Sequence, residues 1–319
     1  MSVPSSPAPR SAAALARRLG LALACGLALG CAPGRVPAPS APAGALERAA
    51  SVAAAPSETF ASLAAPSEAF ARPAAPSEAP VLPPLEGSEA FVDLPVPGHR
   101  AALVGLPLGA SGPRPVLVAT HGALGHARPH CELWQAVVGA RAFVLCPRGA
   151  RMAPALPDDA YGHFYPGHPK LADEVTHALA ALAARYGAHV DLAAPVYVGF
   201  SQGANMGALV LPSHPAHFAR ALLIEGGVGE HQEWNVAVAE RLRAQGGVRV
   251  VLACGRYKCA QAALRTEPLL RRGGLDTELV YVGTGGHRID GDMAPALAAA
   301  FARLVADDPR FVAGPGPGG

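Results

Sequence analysis

The chain has 319 residues, half of them hydrophobic, with only 16% charged and a formal net charge of +2. No cluster of Lys and Arg stands out from that background, which argues against nucleic acid as a partner. The composition is not uniform: Ala, Pro and Ser dominate up to about Pro84, and periodic apolar runs begin at Phe91, so one domain of roughly 220 residues is expected rather than two.

At the N-terminus, Arg10, Arg17 and Arg18 precede LGLALACGLALG (Leu19 to Gly30). A basic segment followed by an apolar run too short to span a bilayer is the layout of an export signal. The run ends in Ala28-Leu29-Gly30-Cys31, which resembles a bacterial lipoprotein signal, with Ala28 where such signals usually carry Leu. The resemblance implies an export signal over residues 1–31 in which Cys31 is lipidated and becomes the new N-terminus, and a membrane-anchored protein of the cell envelope; ordinary secretion is the other reading. Residues 32–88 hold a repeat, AAPSETFASL from Ala54, AAPSEAFARP from Ala64 and AAPSEAPVLP from Ala74. Its Pro and Ser content prevents a packed core, so it reads as a linker or stalk.

The folded domain is expected over 89–312, followed by a Gly/Pro tail at 313–319. FVDLPV (91–96) and RAALVGLPL (100–108), separated by Pro97-Gly98, read as an antiparallel hairpin. PVLVATHG (115–122) and AFVLCPRG (142–149) are fully apolar strands, with a helix over 132–138 between them. PKLADEVTHALAALAARYG (169–187) is amphipathic, with Pro169 near its start and Gly187 where a C-terminal cap belongs. Then follow the strand VYVGFS, a helix from Gln202, the strand RALLIEGG (220–227) and a helix over 233–244. The strand VRVVLACG (248–255), a helix over 259–272, the strand TELVYVGTGGH (277–287) and a helix over 293–305 complete the domain. The pattern predicts an α/β fold, a mostly parallel eight-stranded sheet with helices on both faces. No long helical insertion follows the sixth strand, so no large lid domain is expected. The connection at 151–168 carries Tyr161, Phe164 and Tyr165, which either line a substrate pocket or pack the loop onto the domain.

Four cysteines lie beyond the signal: Cys131, Cys146, Cys254 and Cys259. An even number in an oxidising compartment favours disulfides, and of the three pairings Cys131–Cys146 with Cys254–Cys259 needs the least chain. His126, His130 and Cys131 have a zinc-like spacing, but a fourth ligand is not apparent. No metal or organic cofactor is indicated.

In VYVGFSQGAN, Ser201 stands between Gly199 and Gly203 at a strand-to-helix turn. Small flanking residues let strand and helix approach closely, so that the serine occupies a strained turn with its hydroxyl exposed. The helix start directs N–H groups at an anion forming beside Ser201. The serine needs a base, and His287, delivered after a strand end by Gly285-Gly286, can reach the same sheet edge.

These features, with Thr120-His121-Gly122-Ala123 at an earlier strand end, resemble the alpha/beta-hydrolase superfamily in its serine esterase and lipase branch, over roughly residues 90 to 308. The resemblance implies Ser201 as nucleophile, His287 as base, and the backbone N–H groups of Ala123 and Gln202 as oxyanion donors. His121 is expected to shape the turn. The usual place for the acid reads Ala253-Cys254-Gly255-Arg256-Tyr257-Lys258-Cys259 and holds no carboxylate. Glu225, at the end of RALLIEGG, is the best substitute. Asp276 precedes the last strand, at the wrong end, and Asp290 follows His287 too closely. A Cys254–Cys259 disulfide would clamp the loop from which the acid is missing. The expected activity is hydrolysis of small-molecule carboxylic esters through an acyl-enzyme; a non-catalytic binding protein, or a serine peptidase or acyltransferase on the same fold, is the alternative.

Overall fold

The computed structural model describes residues 82–311, apart from 156, 158–160 and 230. The expected export signal with Cys31, the repeat-bearing stretch up to 81 and the C-terminal tail lie outside the described residues. Ten strands and six α-helices follow in chain order: β1 (Phe91–Leu94), β2 (Ala102–Gly105), β3 (Arg114–Thr120), α1 (Ala127–Val138), β4 (Phe143–Cys146), β5 (Ala150–Arg151), β6 (His163–Phe164) and α2 (His168–Tyr186). Then come β7 (Val190–Phe200), α3 (Gln202–Val210), β8 (Arg220–Ile224), α4 (Val236–Ala244), β9 (Arg249–Cys254), α5 (Tyr257–Arg272), β10 (Asp276–Tyr281) and α6 (Met293–Leu304).

Eight strands form one sheet in the order β1-β2-β4-β3-β7-β8-β9-β10. β2 pairs antiparallel with both β1 and β4, and every pairing from β4 to β10 is parallel. The central stretches of the inner parallel strands are continuous apolar runs because both faces are covered. Alternation then decides which face each residue serves. Along β3, Val116 and Val118 join one core and Leu117 and Ala119 the other; along β8, Ala221 and Leu223 separate in the same way from Leu222 and Ile224. Helices α2 to α5 cover the first face, through residues such as Val175, Leu182, Ala204, Leu242 and Leu270, while α1 and α6 cover the second through Trp134, Val138, Leu297 and Phe301. Burying a Leu, Val or Phe removes enough apolar surface for about 2 kcal/mol, so two uncovered apolar faces are not an option for this sequence.

The structure corrects several sequence-based boundaries. β10 stops at Tyr281, so the segment expected as strand up to 287 is mostly loop; Gly283, Gly285 and Gly286 favour a turn over a ladder. β7 begins at Val190, with a register shift against β3 between Pro115 and Leu117. α1 starts at Ala127, five residues before the expected start at 132. The connection at 151–168 is anchored by the short antiparallel pair β5 and β6. Among the described residues, no helix is long and apolar enough to cross a membrane.

Both local disulfides form. Cys131–Cys146 ties α1 to the end of β4, and Cys254–Cys259 ties the end of β9 to the first turn of α5. Cys131 is therefore consumed as a half-cystine, and the zinc-like spacing with His126 and His130 is not a site.

Candidate active site

The elbow follows directly from the two glycines. Ser201 has φ 51° and ψ −113°, a conformation costly for a residue with a Cβ and held here by its surroundings. Its N–H donates to the Ile224 carbonyl at 2.8 Å, and its own carbonyl accepts from Asn205 N–H at 2.9 Å. A Cβ on Gly199 would lie 2.8 Å from the Ala204 backbone, and one on Gly203 would lie 2.5 Å from Thr120 Oγ1 and 2.7 Å from the His121 carbonyl. Only glycine lets α3 approach both β7 and the end of β3 so closely.

β7 and β8 run in register, with Phe200 opposite Ile224, so the residues that follow them, Ser201 and Glu225, leave the same edge of the sheet side by side. Glu225 also has a positive φ of 53° and is buried. Its Oε1 accepts two backbone N–H groups, Gly255 at 2.6 Å and Arg256 at 2.8 Å. Its Oε2 accepts Arg256 Nε and, at 2.9 Å, His287 Nδ1. Burial by itself pushes this carboxyl up; the hydrogen bonds from His287, from Arg256 and from Gly255 more than offset it and hold Glu225 below the usual glutamate range.

His287 stands on the loop after β10, its ring 4.9 Å from that of Phe200. Its Nε2 lies 2.9 Å from Ser201 Oγ. Because the Glu225 carboxylate can only accept, Nδ1 carries the proton and Nε2 is left with its lone pair towards the serine. The rival carboxylates are occupied elsewhere. Asp276, at the start of β10, pairs with Arg249 at 2.6 Å, and Asp290 pairs with Arg288.

The loop after β3 brings Ala123 to the same place. A Cβ on Gly122 would sit 3.0 Å from the Ser201 Cβ. Among the described residues no acceptor takes the N–H of Ala123 or that of Gln202. Behind this loop His121 is fully buried and stacks on Tyr165 at 4.7 Å, its ring nitrogens 2.7 Å from the Gly122 carbonyl and 3.0 Å from that of Arg148. Burial, despite both carbonyls, lowers its pKa. His130, nearby, is pushed down to about 3 by burial and then by His121. Tyr165 is buried and joins His121 N–H to the Pro147 carbonyl through its hydroxyl, whereas Tyr161 is exposed. Of the three aromatics of the connection, Tyr165 packs it down, Phe164 is half-buried and Tyr161 faces out.

Three side chains support the site in roles the sequence does not signal, Gln202 having been expected there only through its backbone N–H. The side chain of Gln202 grips the backbone of Tyr165, accepting from its N–H at 2.9 Å and donating to its carbonyl at 3.1 Å. Buried Glu174 on α2 accepts the N–H groups of Arg148 and Gly149, both at 3.0 Å. Arg256 braces Glu225. The sequence signal for Arg256 is its place just past the strand neighbouring RALLIEGG, in the segment where the fold usually carries a carboxylate rather than a cation.

No protein-family model matches the sequence, and no curated protein does. Solved structures do match. Esterase PE8 is 20% identical, covering 67% of this chain and 100% of its own, with a TM-score of 0.43. A carboxylesterase of Bacillus cereus is 21% identical over 60% of this chain and 89% of its own, with a TM-score of 0.43. The fluorophosphonate-binding serine hydrolase F of Staphylococcus aureus is 16% identical over 68% of this chain and 95% of its own, with a TM-score of 0.48. The strand order, with an antiparallel second strand and a left-handed serine between β7 and α3, decides the architecture. It is the alpha/beta-hydrolase fold. As in that fold generally, the polar groups of the site gather at the carboxyl ends of the parallel strands.

Proposed function

We propose that the protein is a serine hydrolase that cleaves carboxylic esters through an acyl-enzyme. The observation that carries this reading is the unbroken path from Ser201 Oγ to His287 Nε2 and from His287 Nδ1 to Glu225 Oε2, 2.9 Å at each step. His287 Nε2 takes the Ser201 proton as Oγ attacks the ester carbonyl, and Glu225 holds the ring in the reactive tautomer and stabilises the imidazolium. The N–H groups of Ala123 and Gln202 receive the negative charge on the carbonyl oxygen. The imidazolium then protonates the departing alkoxide, and the same base activates a water that hydrolyses the acyl-Ser201 ester and restores the serine. Exposed Leu124, Met152 and Tyr161, on loops at this edge of the sheet, support an ester with an apolar acyl or alcohol group. The two disulfides support export, and Cys31 is the proposed site of a lipid anchor.

The test is labelling of the purified protein with a fluorophosphonate, with Ser201→Ala as control. Stoichiometric labelling lost in the variant, together with turnover of short p-nitrophenyl esters, is expected. An intact, folded protein that takes no label would overturn the reading in favour of a binding protein. Labelling without ester turnover would transfer it to a peptidase or acyltransferase.

A further inference from the structure

A second constellation lies on α2 and the turn joining β1 to β2. Asp173 and His177 are one helical turn apart and so share a face of α2. His99 comes from the turn. The Asp173 carboxylate stands between the two rings, with Oδ2 3.1 Å from His99 Nε2 and Oδ1 3.5 Å from His177 Nδ1; His177 Nδ1 also lies 2.9 Å from the Asp173 carbonyl oxygen, a hydrogen bond that ligation of an ion replaces. The ring centroids are 5.4 Å apart, and one donor atom from each of the three residues lies within 4.8 Å of the other two. A tetrahedral ion bound at about 2.1 Å holds its donors about 3.4 Å apart, so small side-chain rotations bring all three into place. Asp173 and His177 are half-exposed, which leaves room for those rotations and for a water as fourth ligand, while His99 is largely covered and anchors the set.

The donor chemistry selects the ion. Two imidazoles and one carboxylate suit zinc, nickel or copper rather than magnesium or calcium, which prefer all-oxygen sites. His99 and Asp173 open into a cavity of about 440 Å³ that Arg100 and Lys170 also line. With those cations nearby, bare electrostatic attraction is weak, and binding depends on directional nitrogen ligation. This too disfavours hard cations.

We propose that His99, Asp173 and His177 form a binding site for a divalent transition metal, typified by zinc, that clips the β1–β2 turn onto α2. The site is independent of the Ser201 centre and takes no part in ester hydrolysis. An ion bound only by the folded chain raises its melting temperature.

The experiment uses the full chain without an affinity tag, titrated with zinc chloride by calorimetry and followed by thermal melting, with magnesium chloride as control. One zinc per chain is expected, with Tm raised by about 5 °C or more at saturation and no response to magnesium. His99→Ala, His177→Ala and Asp173→Asn should each weaken zinc binding at least about ten-fold, while their metal-free melting and fluorophosphonate labelling stay as in the wild type. Absence of zinc binding would overturn the proposal, and so would zinc bound equally well by all three variants, which would place the ion elsewhere among the chain's 12 histidines.

Discussion

Arg256 and His287 donate to the same oxygen, Oε2, of the buried Glu225 carboxylate. This carboxylate, the proposed triad acid, is thus held from two sides, with two backbone N–H groups of the 255–256 segment on its other oxygen. Such charge-assisted bonds fix direction as well as charge. Arg256→Ala should lower kcat by roughly ten-fold with little change in KM, and Arg256→Lys should restore part of the loss. Steady-state kinetics on a short p-nitrophenyl ester decides this; an unchanged kcat would reduce Arg256 to a surface ion pair.

Removal of the acid itself is the sharper case. Glu225→Gln keeps the shape but offers an amide N–H where an acceptor is needed, favouring the wrong tautomer of His287. A fall in kcat on the order of 10³ to 10⁴ is expected, with Ser201 still present and the fold intact by circular dichroism. Asp276→Asn and Asp290→Asn, whose carboxylates face Arg249 and Arg288, should leave kcat within about two-fold, in line with solvent-exposed ion pairs.

The two disulfides should separate in their effects. Cys131–Cys146 closes a loop of 15 residues at the end of β4, two strands from β7, and touches none of the groups that hold Glu225, so replacing both by Ser should cost about 3 kcal/mol of stability with kcat retained. Cys254–Cys259 flanks the Gly255 and Arg256 amides that hold Glu225. Its removal should cost less stability, about 2 kcal/mol, yet lower kcat. Denaturant melts and kinetics on both double variants would expose a failure of this division.

Gly203→Ala places a methyl group 2.7 Å from the His121 carbonyl oxygen and 2.8 Å from that of Thr120. Overpacking at backbone cannot relax as a side chain does, so a loss of about 1–3 kcal/mol is expected, with fluorophosphonate labelling slowed because α3 and the β3 loop are forced apart. Thermal melting and labelling rate should move together.

Acid stability has a marked contributor away from the site. Buried Asp308 accepts from Arg310 Nη2 at 2.7 Å and Arg220 Nη1 at 3.3 Å; burial pushes its carboxyl up, and the Arg310 hydrogen bonds more than offset this, leaving it below the usual aspartate range. A folded-state value below the unfolded one stabilises fully above the unfolded value and loses that contribution as pH falls through the folded one. Asp308→Asn should therefore melt well below the wild type at pH 7, and the gap should narrow below about pH 4. A gap independent of pH would mean that packing, not charge, is what Asp308 supplies.

The sequence by itself determined the layered sheet, because apolar strands alternating with amphipathic helices have one way to cover both faces. It also determined the elbow, since Gly199 and Gly203 report a close approach that any larger residue would forbid, and it favoured the pairing of cysteines near in the chain. It could not settle the place of the acid. His287 reaches Glu225 and Ser201 across 62 and 86 residues of sequence, and no local periodicity encodes which strands become neighbours. The register of Phe200 with Ile224 and the amides of the 255–256 segment decided that Glu225, not a residue after β9, faces the histidine. The tertiary structure likewise separated Tyr165, buried against His121, from exposed Tyr161. It also brought His99 to Asp173 and His177. Such contacts depend on the burial and packing of distant segments, which composition and spacing along one chain do not carry.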